Sequence, residues 1–170
     1  MYLRMLEDTV RSLKGEGGTA SGPPPEVLLE RAAYLPDAYV PDDAAKLDLY
    51  RRLARSQTSG EISMLREEMA DRFGRLPPEA EALVALTQLR VIGSRLGLET
   101  VSARGNESRL VFRSGAVPRL AGLTAAMDEV QFAAEVRRTQ PLVLRLERLG
   151  GMDILAGLVR ALARATSESS

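Results

Sequence analysis

Neither histidine nor cysteine occurs anywhere in the 170 residues. The usual general base, the commonest zinc ligand and every thiol reaction are therefore missing, which leaves carboxylates and arginines as the chemically active groups. Two carboxylate pairs lie close in sequence, Glu67 with Asp71 and Glu79 with Glu81. General acid and base work needs paired carboxyls whose surroundings push their pKa values apart, and both pairs fall on helix faces expected to be solvated. Catalysis by this chain is not expected, and no cofactor is implied. A different constellation stands out between Thr58 and Arg90. Projected at about 3.6 residues per turn, Glu61, Met64, Glu68, Asp71 and Arg72 share one helix face, opposite a core stripe of Ile62, Leu65, Met69 and Phe73. Glu68 and Asp71 sit in the C-terminal half, where a carboxylate meets the negative end of the helix dipole at a cost of about 0.3 to 1 kcal/mol. An exposed methionine ringed by charge, with acids placed against helix stability, has the composition of a contact surface. These five residues are the candidate protein interface.

The helix that carries them has clear limits. Thr58 with Glu61 forms a capping box, Gly74 follows the last periodic residue as a stop, and Pro77 and Pro78 open a second helix. That second helix, from Pro78 to about Leu96, places Ala82, Leu83, Leu86, Leu89, Ile92, Gly93 and Leu96 on a stripe too wide for a surface helix, so it is expected at the centre of the core. Upstream, the tetrads Tyr34-Leu35-Pro36-Asp37 and Tyr39-Val40-Pro41-Asp42 form a rigid extended strap whose tyrosines are expected to pack in the core. Asp42 or Asp43 caps a helix expected to turn Leu47, Tyr50, Leu53 and Ala54 inward. A short strand is expected over Glu26 to Arg31.

After Gly97 the apolar period changes from helical to alternating. Val101 and Ala103, a Gly105-Asn106 turn, then Leu110 and Phe112 predict a hairpin with one apolar face. A short helix follows from Pro118 to Met127. A second strand pair is expected from Val130, Phe132, Ala134 and Val136 and from Leu142, Leu144 and Leu146, before a closing helix from about Met152 to Ala165. Segregated helices and one-faced strands predict an α+β fold, a mostly antiparallel sheet with helices packed on one face. A loosely tethered N-terminal helix precedes it. The expected divisions are a connector helix over 1–15, a flexible Gly/Pro linker over 16–25, the α+β domain over 26–166 and a frayed tail over 167–170.

Net charge is zero, from 23 basic and 23 acidic side chains. No global field draws the chain to nucleic acid or an anionic membrane, and the doublets Arg51-Arg52 and Arg137-Arg138 are each offset by nearby acids. Gly15, Gly17 and Ala20 fit G-x-G-x-x-A but follow a helix and run into prolines, which is the wrong context for a dinucleotide site. No apolar run is long enough to span a bilayer and no signal peptide is evident, so a cytoplasmic monomer without direct nucleic-acid or membrane contact is expected.

Three strings, YLRMLEDTVRSLKG, YLPDAYVPDDAAKLDLYRRLA and LREEMADRFGRLPPEAEALVALTQLR, resemble the C-terminal domain of the bacterial transcription-repair coupling factors (Mfd). They lie within about the first 100 residues, and the remainder is similar only in its pattern of strands and helices. The family's full-length members are ATP-driven DNA translocases that displace stalled RNA polymerase and recruit UvrA for nucleotide excision repair. The translocase's nucleotide-binding motifs do not occur in these 170 residues. The resemblance implies a regulatory, autoinhibitory domain that covers the UvrA-binding surface of a UvrB-like N-terminal module of the same parent, and so controls UvrA indirectly. The family contact, E-x-x-D-R-F-G, falls here on Glu68, Asp71 and Arg72. A free-standing interaction adaptor of the same fold is the alternative.

Overall fold

A computed structural model describes residues 23–116 and 120–168. The expected connector helix and most of the linker lie outside these residues. In chain order the elements are β1 (Glu26–Leu29), α1 (Asp43–Arg55), α2 (Ser59–Phe73), α3 (Pro78–Leu96), β2 (Leu98–Arg104), β3 (Glu107–Phe112), α4 (Leu120–Glu129), β4 (Phe132–Thr139), β5 (Leu142–Arg148) and α5 (Ile154–Glu168). The strands form one sheet in the order β1-β2-β3-β5-β4. Only the β1–β2 pair is parallel, and the other three are antiparallel. This is the α+β fold expected.

The central helix α3 divides the interior. Ala82, Leu89 and Ile92 join Leu110, Phe112, Leu144 and Leu146 of the sheet, and Leu155, Leu158 and Leu162 of α5, in one core. Ala80 and Val84 turn the other way, into a second core built from Leu35, Val40, Leu49, Leu53, Ile62, Leu65 and Met69. A helix that serves two cores needs apolar residues on two sides, which explains why its stripe is so wide. The hairpin turn at Gly105-Asn106 pairs Arg104 with Glu107, as the two-residue signal predicts. Ordered packing also reaches back into the end of the expected linker, where Pro25 is buried against Gly93 and Pro23 accepts a hydrogen bond from Arg113.

Four expectations are corrected. In α1 the buried residues are Leu49 and Leu53, while Leu47 and Ala54 are exposed. Two overlapping apolar stripes run along this helix, and a long-range contact decides between them: the Tyr50 hydroxyl accepts the Leu35 backbone N–H at 2.8 Å, which fixes the rotation. In the strap the aliphatics Leu35 and Val40 are buried and Tyr34 is 47% exposed. The strap is also not extended throughout: the N–H groups of Tyr39 and Val40 both donate to the Pro36 carbonyl at 3.0 Å, closing a turn over residues 37–39 that brings Leu35 and Val40 inward and leaves the Tyr34 ring outside. Phe73 is half-buried, because it occupies the last turn of α2 where the second core thins out. In β4 only Phe132 is buried and Val136 stays 47% exposed. That strand is the sheet edge and carries a bulge between Val136 and Arg138.

Candidate protein-interaction face

The candidate face is built on α2, whose two ends are both fixed. At the start, Thr58 Oγ1 accepts the Glu61 N–H at 3.1 Å, and the Glu61 carboxylate accepts the Gln57 N–H at 2.9 Å. The capping box therefore closes one residue earlier than its simplest form, and Glu61 is committed to it. At the other end Gly74 has φ +89°, a left-handed turn that suits glycine, and its N–H donates to the Ala70 carbonyl at 3.0 Å. The Tyr39 hydroxyl, 2.9 Å from the Gly74 carbonyl and 3.1 Å from that of Met69, donates between them. The strap thus holds the helix end. Tyr39 also meets Phe73 edge to face, with ring centroids 5.8 Å apart.

Between these ends the buried stripe is Ile62, Leu65 and Met69, and the opposite face carries the expected residues. Met64 is 71% exposed. Glu68 is half-buried and accepts two hydrogen bonds from the Arg52 guanidinium, at 2.6 and 2.7 Å, and a third from Arg72 Nη1 at 3.1 Å. Arg52 Nη1 also lies 3.7 Å from the Asp48 carboxylate. The Arg72 guanidinium stacks 4.9 Å from the centre of the Phe73 ring. Asp71 is exposed and, among the described residues, has no hydrogen-bond or ion-pair partner. The structure thus joins Glu68 to Arg72, leaves Met64 and Asp71 outward, and places Glu61 about two to three turns from the Glu68–Arg72 pair, at the cap.

Two of these contacts change what Glu68 means. Its position against the helix dipole is offset inside the domain, by a forked arginine pair that fastens α1 to α2. The sequence spacing offers Arg52 as half of a basic doublet and, like Arg51, as a candidate partner for Asp48 one helical turn away, which the structure bears out for Arg52, but Glu68 lies 16 residues away, beyond any local spacing rule. The Arg52 hydrogen bonds, aided by Arg72 and opposed by partial burial, hold the Glu68 carboxyl at about 2 instead of 4.5. The same pairing raises Arg52.

A carboxyl with a depressed folded pKa contributes stability that is complete above its unfolded value and lost as pH falls through the folded one. Glu68 should therefore stabilise the chain fully above about pH 5 and lose that contribution between about pH 4.5 and 2. After solvent screening of this partly exposed group, the loss is expected at about 1 kcal/mol. Urea titrations at pH 6 and pH 2.5 check this: Glu68→Gln should be less stable at pH 6 and nearly level with the unsubstituted chain at pH 2.5. An equal difference at both pH values would contradict the pairing.

The carboxylate pairs considered for catalysis lie on α2 and α3. Glu81 is paired with Arg66 at 2.6 Å, and Glu67 and Asp71 are both exposed. Among the described residues no group of three or more acidic side chains is placed to hold a metal ion, and no helix is long and apolar enough to cross a membrane.

Comparison with known proteins converges on one family. The TRCF domain matches residues 29–123, a span that includes the strap, α1, α2 and α3. A transcription-repair-coupling factor of Staphylococcus epidermidis is 28% identical over 143 residues, covering 84% of this chain and 11% of that protein. The Escherichia coli K12 protein of the same name is 32% identical over 111 residues, covering 63% of this chain and 10% of its own length. The crystal structure of a C-terminal domain of transcription-repair coupling factor superimposes with a TM-score of 0.73 at 20% identity, over 88% of this chain and 98% of that domain. This chain belongs to the TRCF domain family, the C-terminal domain of the transcription-repair coupling factors.

Proposed function

We propose that this chain is the regulatory end of an ATP-driven DNA translocase that displaces stalled RNA polymerase and recruits UvrA. In this role the outer face of α2 docks on a UvrB-like N-terminal module of the same parent and covers the surface that UvrA binds. Met64, Asp71 and Arg72 make the contact, Glu68 braces it from behind, and Glu61 holds the helix start. The observation that carries the proposal is the unpartnered, exposed Asp71 beside an Arg72 already stacked and paired, on a helix fixed at both ends. A side chain held in position before docking loses less rotamer entropy on contact, so such a face suits a specific partner. Residues 1–15 serve as the connector and the linker leading up to Pro23 as the tether that lets the domain fold back, within a cytoplasmic, monomeric parent. The chain itself supplies no catalysis, cofactor or direct nucleic-acid contact.

The chain spans 10% to 11% of the length of the relatives described above, which fits a regulatory piece of a large protein. Deleting residues 26–166 from the full-length parent should raise its affinity for UvrA, because the competing surface is gone. Unchanged affinity would contradict masking. A free-standing adaptor would instead bind its partner as a separate polypeptide with no such effect on a parent.

A further inference from the structure

Among the arginines close to the proposed contact, Arg52 stands apart. It belongs to α1, outside the E-x-x-D-R-F-G segment, yet it holds both oxygens of Glu68. Its reach also spans to Asp48, so a continuous chain Asp48, Arg52, Glu68, Arg72 crosses from one helix to the next. Each carboxylate oxygen of Glu68 has a fixed donor, and Oε2 is shared between Arg52 Nη1 and Arg72 Nη1. Guanidinium forks impose direction as well as charge. With Arg52 in place, Glu68 has one orientation and Arg72 is held against it, over the Phe73 ring. Without it, Glu68 could swing outward and take Arg72 or a foreign cation with it.

We propose that Arg52 is a positioning residue for the interdomain contact: it turns Glu68 inward as a bracket for Arg72, so that Asp71 and Arg72 are presented as an adjacent acid and base. The inference rests on the proposed masking role and deepens it. The matching surface on the partner module is then a cation facing Asp71, an acceptor facing Arg72, and an apolar spot for Met64.

The test uses the full-length parent and purified UvrA. Arg52→Met should raise UvrA affinity by up to about fivefold, the factor an exposed or half-exposed ion pair commands. Arg52→Lys keeps the charge and loses the fork, so it should give a smaller rise. Arg66→Met is the control, since it breaks a comparable pair between α2 and α3, with Glu81 at 2.6 Å, away from the face. It should leave UvrA affinity unchanged. Equal rises for Arg52→Met and Arg66→Met would mean general loosening and would overturn the positioning role. No rise for Arg52→Met, where Asp71→Ala with Arg72→Ala does raise affinity, would also overturn it while leaving masking intact. If none of these variants raises UvrA binding, the masking role itself fails and the inference with it.

Discussion

Phe132→Ala is expected to lower the stability of this chain by about 3 to 5 kcal/mol, the usual cost of deleting a fully buried aromatic. The ring is 1% exposed and sits under α5, where Gly157 leaves room for it: a methyl added at Gly157 would lie 2.6 Å from Phe132 Cζ and 2.9 Å from Cε1. The sheet and the closing helix are thus fitted to each other at this point, and the surrounding core cannot collapse into the space without moving α5. Gly157→Ala alone should cost about 1 to 3 kcal/mol through overpacking. In the Phe132→Ala background that penalty should vanish, because the cavity accepts the methyl, and denaturant titrations of the four proteins measure the coupling. Additive losses would show that the two residues do not meet. By contrast Phe73→Ala, at a half-buried helix end, should cost well below the fully buried figure.

That contrast shows what the sequence could carry. Helix limits were legible where local chemistry sets them: Thr58, Gly74, Pro78 and Gly97 each act within one turn. The hairpin at Gly105-Asn106 was legible for the same reason. Facing was legible only where a single apolar stripe exists, as in α2. In α1 two stripes compete, and the Tyr50 to Leu35 bond that chooses between them links residues 15 apart. Phe73 continues the stripe on paper but has too little structure over it at the end of the helix. Strand order depends on which edges remain free after α3 and α5 are placed, so alternation alone could not supply it. At the candidate face, the outward positions of Met64, Asp71 and Arg72 followed from periodicity. The internal use of Glu68 did not, because its partner comes from another helix.

Under the proposed masking role, replacing Asp71 and Arg72 together by alanine should leave this domain folded while releasing the parent from its closed state. The fold should change by less than about 1 kcal/mol: the Arg72 to Glu68 pair is exposed and spaced i, i+4, and removing an acid near a helix C-terminus helps slightly. Loss of the stacking on Phe73 adds a small cost of the same order. Glu68 is kept, because removing it would leave Arg52 without its main partner and loosen α1 from α2. At a desolvated interface the same two side chains count for more, and truncating hydrogen-bonded charges there costs about 2 to 5 kcal/mol, much of it from partner charges left unpaired.

Opening follows by competition. A surface covered most of the time binds an external partner more weakly by the fraction of time it is covered, so weakening the cover strengthens the partner. UvrA is therefore titrated onto the full-length parent, with and without Asp71→Ala and Arg72→Ala. The masking role predicts affinity higher in the double variant by about tenfold or more, up to the limit set by the closed fraction. Equal affinities would contradict it, and a lower affinity would mean that the α2 face recruits UvrA instead of covering its site.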